Sequence, residues 1–247
     1  MIIGAQKAGT TALAHMLKQH PFVLGPTEKV DRSGEIHYFD DNFEKGEKWY
    51  KKHFFKKPSS EYVNGDRSPY YLFHPLVARR VHENYPKVKL IIVLRNPVDR
   101  AYSHYWFNIA LGQEPLSFEE ALFAEPSRLE GEEARFKKDP LYKSNKHRFF
   151  SYLARSRYVE QIKHWLKFFP KEQILFIEAA ELRKRPRETL HKVFSFLGLP
   201  KFDVVVSDPE KNMHYPPMDN GLRKSLEEYF KPYNAELEEL LECHFNW

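Results

Sequence analysis

Ile2-Ile3-Gly4-Ala5-Gln6-Lys7-Ala8-Gly9-Thr10-Thr11 reads as a strand, a glycine loop and the first residues of a helix. A nucleoside-triphosphate loop has the form G-x-x-x-x-G-K-[ST], with its lysine directly after the second glycine. Gly4 and Gly9 keep that spacing and Thr11 keeps the last position, but Thr10 stands where the lysine belongs and Lys7 sits inside the loop. Thr11-Ala12-Leu13-Ala14-His15-Met16-Leu17 follows with apolar residues at helical spacing. Unpaired N–H groups and the positive end of the helix dipole meet at such a junction and attract an anion. The stretch predicts a phosphate-like ligand, and the moved lysine argues against ATP.

Outward from this loop, strands and helices alternate. Phe22-Val23-Leu24-Gly25 reads as a short strand or turn, and residues 26–34 as a polar loop. Trp49, Phe54 and Phe55 lie in a lysine-rich amphipathic stretch, and Glu61 to Asp66 reads as a second strand. A helix is expected over 75–85, with Leu76, Val77, Val81 and Tyr85 as its buried face. Val88-Lys89-Leu90-Ile91-Ile92-Val93-Leu94 is a near-continuous apolar run, the pattern of a central parallel strand covered on both faces. Arg95-Asn96-Pro97 ends it, and Pro97 can open a helix over 98–110 at its first turn.

The stretch 125–147 is rich in charge and poor in apolar periodicity, which predicts a surface excursion and a candidate lid. Tyr158, Ile162, Trp165, Leu166 and Phe169 recur at helical spacing, so Trp165 and Phe169 are assigned to the core rather than to a stacking platform. Gln173 to Ile177 reads as another strand, residues 190–197 as a helix stopped by Gly198, and 221–241 as a last helix. The basic run Arg183-Lys184-Arg185-Pro186-Arg187 reads as a solvated helix start or a guide for an anionic acceptor. The alternation predicts an α/β fold, a three-layer P-loop-like domain with a central parallel β-sheet flanked by helices, in a single domain over 1–247.

Composition narrows the function. Of 247 residues 42% are hydrophobic, enough for one sizeable core. No apolar run approaches a membrane span, and no secretory leader is expected from the residues ahead of the loop, which start almost inside the first strand and leave a targeting segment upstream open. The net charge of +5 suits an anionic ligand, but no basic stripe or recognised module supports a nucleic-acid partner. One cysteine, Cys243, excludes an internal disulfide and a cysteine-rich zinc site, and a cytoplasmic location is expected. Magnesium-dependent phosphoryl transfer needs an acid near the metal, whereas the best central strand here ends in Arg95. Ser103 lies eight residues on, where it and Arg95 can converge on one anion if the helix packs back. Two anion sites at strand C-termini, without an evident metal ligand set, suit a nucleotide phosphorylated at both its 5′ and 3′ sides.

These residues resemble the sulfotransferases that use 3′-phosphoadenosine 5′-phosphosulfate (PAPS), nearest the heparan sulfate N- and O-sulfotransferase branch and its bacterial relatives. Gly4 to Thr11 is similar to that family's 5′-phosphosulfate loop. Leu94-Arg95-Asn96-Pro97-Val98-Asp99-Arg100-Ala101-Tyr102-Ser103-His104-Tyr105 is similar to its 3′-phosphate element. Glu35-Ile36-His37-Tyr38-Phe39-Asp40 resembles the acceptor segment, Asp66-Arg67-Ser68-Pro69-Tyr70 a second acceptor segment, and Lys211-Asn212-Met213-His214-Tyr215-Pro216 a late cofactor loop. Gly34 and Arg67 depart from the family pattern, where lysines are usual.

The resemblance implies a metal-independent sulfuryl transfer from PAPS to a hydroxyl or amine. The first acceptor class it implies is carbohydrate, and the second a small metabolite, lipid or carrier-bound intermediate. Lys7 with Ala8, Gly9, Thr10 and Thr11 would hold the phosphosulfate, Arg95 and Ser103 the 3′-phosphate, and Lys211, His214 and Tyr215 would close over the nucleotide. Glu35 is the candidate base, His37 its competitor because histidine titrates near neutrality, and Arg67 and Ser68 candidate acceptor contacts. Lacking the cysteine pair common in Golgi-resident members, the chain is placed in the cytoplasm rather than a Golgi lumen. A P-loop kinase-like phosphotransferase and a non-catalytic nucleotide-binding module are the competing readings.

Overall fold

Parallel pairing of three strands, two of them buried throughout, organises the sheet. A computed structural model describes residues 1–26, 34–54, 62–206 and 215–247. Along it run β1 (Ile2–Gly4), α1 (Thr10–Leu17), β2 (Val23–Leu24), α2 (Gly46–Lys51), β3 (Val63–Asn64), α3 (Val77–Asn84), β4 (Leu90–Leu94) and α4 (Pro97–Ala110). There follow α5 (Phe118–Leu129), α6 (Glu132–Lys138), α7 (Asn145–Phe149), α8 (Tyr158–Leu166), β5 (Ile174–Glu178), α9 (Ala179–Lys184), α10 (Pro186–Leu197) and α11 (Asn220–Leu241). They group into two compact units, Met1–Leu94 with Phe168–Glu210, and Arg95–Lys167 with Lys211–Trp247.

The first unit holds the sheet. β4 lies between β1 and β5 and is parallel to both, with Ile2 opposite Ile91 and Leu90 to Leu94 opposite Ile174 to Glu178. All five residues of β4 are buried, as an apolar run covered on both faces requires. β2 and β3 form a parallel pair of their own, and the chain beyond β3 reaches β1 through a parallel bridge between Arg67 and Ile2. The expected central parallel sheet flanked by helices is the observed architecture. Element ends moved by a few residues where caps decide them. Residues 186–189 extend α10 ahead of its apolar face because Pro186 opens it, and Gly198 ends it in the left-handed conformation with φ 79°.

The second unit is helical around one apolar cluster. Val98, Ala101, Tyr102 and Tyr105 of α4 pack with Phe118 and Ala121 of α5, Tyr152, and Leu226 and Phe230 of α11. The stretch 125–147 is mostly exposed, but it is regular rather than irregular chain. That stretch carries the end of α5, all of α6 and all of α7, and it buries Glu125, Glu132, Phe136, Ser144 and His147. Two of its carboxylates act as internal caps. The Glu125 carboxylate accepts from the N–H groups of Leu153 and Ala154, each at 2.7 Å, and burial pushes this carboxyl up from its ordinary value. Glu132 accepts from the hydroxyls of Tyr142 and Ser144. Most other charges of the stretch are exposed, as its composition suggests, while these two carboxylates serve buried hydrogen bonds.

Gly4 is where packing and function share one residue. A Cβ built there would lie 2.6 Å from Leu72 Cβ and 2.7 Å from Leu72 Cδ2. Overpacking of this kind costs typically about 1–3 kcal/mol. Gly4→Ala is expected to lower the thermal midpoint by several degrees and to weaken binding of phosphorylated nucleotides. A melt matching the wild type within error would show that Leu72 yields without cost.

Candidate active site

The loop after β1 is held by its neighbour strand. Ala5 N–H donates to Val93 O at 2.8 Å, and Ala5 and Ala8 are buried. Lys7 and Gly9 both adopt positive φ, 69° and 96°. Gly9 is the N-cap of α1 with open space where a Cβ would point, so glycine is needed there for its backbone conformation alone. A non-glycine residue with positive φ is uncommon, and at Lys7 it turns the chain inside the loop. No side chain caps α1 among the described residues, leaving the first-turn N–H groups to a ligand or water. Thr10 is buried and Thr11 exposed. The loop residues read from the sequence thus share one turn at the N-terminus of α1.

A second group of residues converges in the same unit. Arg67 donates to Glu35 Oε1 at 2.7 Å. Glu35 Oε2 lies 3.0 Å from His37 Nε2, and His37 Nδ1 lies 2.7 Å from Asp40 Oδ2. Cation, carboxylate, imidazole and carboxylate therefore alternate along one chain, with Asp40 and His37 buried and the outer pair only slightly exposed. Both imidazole nitrogens face carboxylate oxygens, so a hydrogen on each nitrogen, the imidazolium form, is the state that satisfies both contacts. One ligand atom each from His37, Asp40 and Asp41 lies within 4.8 Å of the others, but His37 and Asp40 already satisfy one another.

Residues 35–40 belong to no helix or strand, so side chains must hold their backbone groups. His37, itself at φ 51°, donates its N–H to Ser68 Oγ at 3.3 Å. The N–H groups of Tyr38 and Phe39 both reach the Tyr71 hydroxyl, at 2.9 and 3.3 Å. Arg80 donates to the carbonyls of Phe39 and Asp40, and Asn42 to those of Ile36 and His37. Under this network sits Asp66, buried, which accepts from Tyr50, Tyr71 and Ser68. Burial raises the Asp66 carboxyl from its ordinary value, and the Tyr50 and Tyr71 hydroxyls oppose that rise.

The remaining expected residues lie in the second unit or outside the described residues. Asn96 caps α4 by accepting from Val98 and Asp99 N–H, with Pro97 at the first turn. Arg95 precedes that cap and its carbonyl accepts from the Tyr158 hydroxyl at 2.8 Å. Ser103 is buried on α4. Tyr215 stacks on Trp106 and meets Tyr102 edge-on. Lys211 and His214 lie outside the described residues. Arg100, between the two phosphate candidates, is wholly buried, donates to Ser156 Oγ and Tyr152 O, and is lowered to about 10 by burial. It is a clamp on the chain near 152–156. A cleft of about 400 Å³ in this unit is lined by Glu227, Glu228, Lys231 and Glu238 among others.

Sequence reading missed Asp40, Tyr71 and Arg80. Asp40 stood at i+3 from His37, a spacing compatible with contact. For Tyr71 and Arg80 no local signal existed, because their partners lie about thirty to forty residues away along the chain.

Comparison with known proteins identifies the family. The family model for the sulfotransferase domain matches residues 1–229. A sulfotransferase from Alicyclobacillus acidocaldarius superposes with a TM-score of 0.75 at 31% identity, covering 99% of this chain and 95% of that one. The membrane-associated sulfotransferase kil1 of Dictyostelium discoideum is 29% identical over the whole of this chain and 66% of its own length. A bifunctional heparan sulfate N-deacetylase/N-sulfotransferase 1 of Caenorhabditis elegans is 29% identical over 98% of this chain, which spans only 29% of that protein.

The expected cytoplasmic location is corrected by these relatives, one of which is membrane-associated along a match to the full chain. A fold with one cysteine is compatible with either redox compartment, so the cysteine count carried no address. No helix among the described residues is long and apolar enough to cross a membrane. With the family model spanning nearly all of its length, this chain belongs to the sulfotransferase domain family.

Proposed function

We propose that this chain is a catalytic domain, 1–247, that moves a sulfuryl group from PAPS to a hydroxyl or amine of an acceptor. Carbohydrate is the first acceptor class, because a heparan sulfate enzyme is among the relatives. A small metabolite, lipid or carrier-bound acceptor is the second. The carrying observation is the chain Arg67–Glu35–His37–Asp40, built in the same compact unit as the Lys7 loop. The residues present fit the donor. The loop offers first-turn N–H groups and a lysine to its phosphosulfate, and Arg95 offers the planar fork that a 3′-phosphate needs.

PAPS supplies an activated sulfuryl group bearing one negative charge. Lys7 stabilises the charge that grows on the departing 5′-phosphate as the bridging oxygen–sulfur bond breaks, with the N–H groups of Gly9, Thr10 and Thr11. Removing one such donor typically costs about 3–4 kcal/mol. Glu35 takes the proton of the acceptor hydroxyl or amine as the new bond to sulfur forms. His37, with both nitrogens already bearing hydrogen, has no lone pair for that proton, which favours Glu35 as base. Arg67 and Ser68 orient Glu35 and the segment around it and line the acceptor side. Ser103 assists Arg95, and Tyr215 contacts the nucleotide, with Lys211 and His214 as further candidate contacts from outside the described residues. Transfer without metal is part of this reading.

Three measurements test it. Labelled sulfate from PAPS is expected to reach a member of a mixed acceptor library in the presence of a chelator. Nucleotide binding without transfer to any acceptor would favour the non-catalytic reading, and transfer of phosphate from ATP would favour the kinase reading. Glu35→Gln is expected to lower turnover by about 10²–10⁴-fold with nucleotide affinity unchanged, and wild-type turnover would rule out an essential base there. Arg95→Ala is expected to weaken the desulfated nucleotide by roughly tenfold or more, the worth of a charge-assisted hydrogen bond, as read by calorimetry.

The imidazolium assignment has its own test. In nitrogen-detected NMR at neutral pH both ring nitrogens of His37 are expected to show protonated shifts in the wild type. In Asp40→Asn the charged form loses a carboxylate partner, and the neutral ring should gain population. A neutral ring in the wild type would return His37 to candidacy as the base.

A further inference from the structure

We propose that Tyr71 is a positioning residue for sulfuryl transfer: anchored on Asp66, its hydroxyl fixes the backbone that aims Glu35 and His37. This rests on the sulfotransfer reading above and assigns to the reaction a residue with no expected contact to donor or acceptor.

Three consecutive N–H groups, those of His37, Tyr38 and Phe39, end on two hydroxyls, Ser68 Oγ and Tyr71 OH. Both hydroxyls are bound to one carboxylate, Ser68 to Asp66 Oδ1 at 3.3 Å and Tyr71 to Asp66 Oδ2 at 3.1 Å. A hydroxyl that accepts two backbone donors must give its own hydrogen elsewhere, and Asp66 takes it. Tyr71 is fully buried, so no water replaces the hydroxyl cheaply, and each N–H left alone would bear its desolvation cost. The bonds fall where the chain needs them, because His37 holds a left-handed backbone at φ 51°.

The anchor is itself fixed to the donor strand. Ile2 N–H donates to Asp66 O at 2.8 Å, and Leu72 N–H to Ile3 O at 2.8 Å. Leu72 also packs where a side chain on Gly4 would go. Residues 66–72 therefore gauge the acceptor segment from β1, whose next residues form the Lys7 loop. In a transfer dominated by positioning, a displacement of about 1 Å costs on the order of 10²-fold in rate.

The test compares two tyrosines that share one oxygen. Tyr50 also donates to Asp66 Oδ2, at 3.1 Å, but its hydroxyl has no bond to residues 37–39 among those described. Tyr71→Phe and Tyr50→Phe each remove a buried hydroxyl from that carboxylate oxygen and keep the ring. Tyr71→Phe is expected to lower kcat by roughly tenfold or more, with affinity for the desulfated nucleotide unchanged. Its amides at Tyr38 and Phe39 should exchange hydrogen faster. Tyr50→Phe is expected to keep kcat within about threefold and to leave those amides protected.

Thermal melts of both variants separate lost folding from lost aim, since a general loss of structure lowers nucleotide affinity and kcat together. Equal effects of the two substitutions on kcat would overturn the proposal. So would unchanged exchange at 38 and 39 in Tyr71→Phe. Absence of sulfate transfer by the wild type would instead sink the sulfotransfer reading, and the exchange comparison would still decide the anchoring.

Discussion

A buried carboxylate holds together a stretch of chain that no helix or sheet supports. Asp66 reaches through Ser68 and Tyr71 to the N–H groups of residues 37–39, while its own backbone is hydrogen-bonded to β1. Irregular backbone inside a protein is tolerable only when each polar group finds a partner. Here the N–H groups go to hydroxyls and the carbonyls to Arg80 and Asn42. The cost is an acid kept away from water, visible as the upward shift of the Asp66 carboxyl. Two of the three hydroxyls around it are buried tyrosines, whose own ionisation burial pushes well above the usual range. They therefore remain donors at any ordinary pH.

The same geometry explains why β1 is short and yet decisive. Its three residues are all buried, pair with β4 on one side and bridge to Arg67 on the other. The loop carrying Lys7 and the segments carrying Arg67 and Glu35 are thus both referenced to this strand. Burying a branched aliphatic side chain such as Ile3 is worth about 1.5–3 kcal/mol, which makes the strand a stable reference rather than a mobile one. Rigid placement of loop-borne groups by a sheet is the common arrangement for functional sites.

How much of this was legible depended on the distance over which each feature is encoded. The β4 run, the Gly4–Gly9 spacing and the amphipathic helices are written in neighbouring residues, and the sheet architecture followed from them. The Glu35–Asp40 stretch was legible as a motif, but its shape was not, because its partners Tyr71 and Arg80 lie far along the chain. Over 125–147 the charge pattern matched a mostly exposed stretch but hid two acceptors, Glu125 and Glu132, which are buried. The cysteine count misled on location for a different reason: redox compartment constrains disulfides, and a chain with a single cysteine is free of that constraint.

With His37 as imidazolium, the four groups of the alternating chain, Arg67, Glu35, His37 and Asp40, carry two positive charges against two negative. Each inner ion has an opposite neighbour on both sides, which is what keeps a mostly buried group ionised, since breaking one buried pair typically costs about 3–5 kcal/mol. In the proposed reaction, the proton reaching Glu35 removes one negative charge and leaves the chain with a net positive charge. That excess appears as an anionic sulfuryl group is passed to the acceptor, so the site's potential moves in the sense that favours the transferring group. A neutral imidazole at His37 would leave no such excess. Its two carboxylate partners therefore bear on the chemistry as well as on the orientation of the ring, and Asp40, deeply buried behind it, is what holds the charge in place.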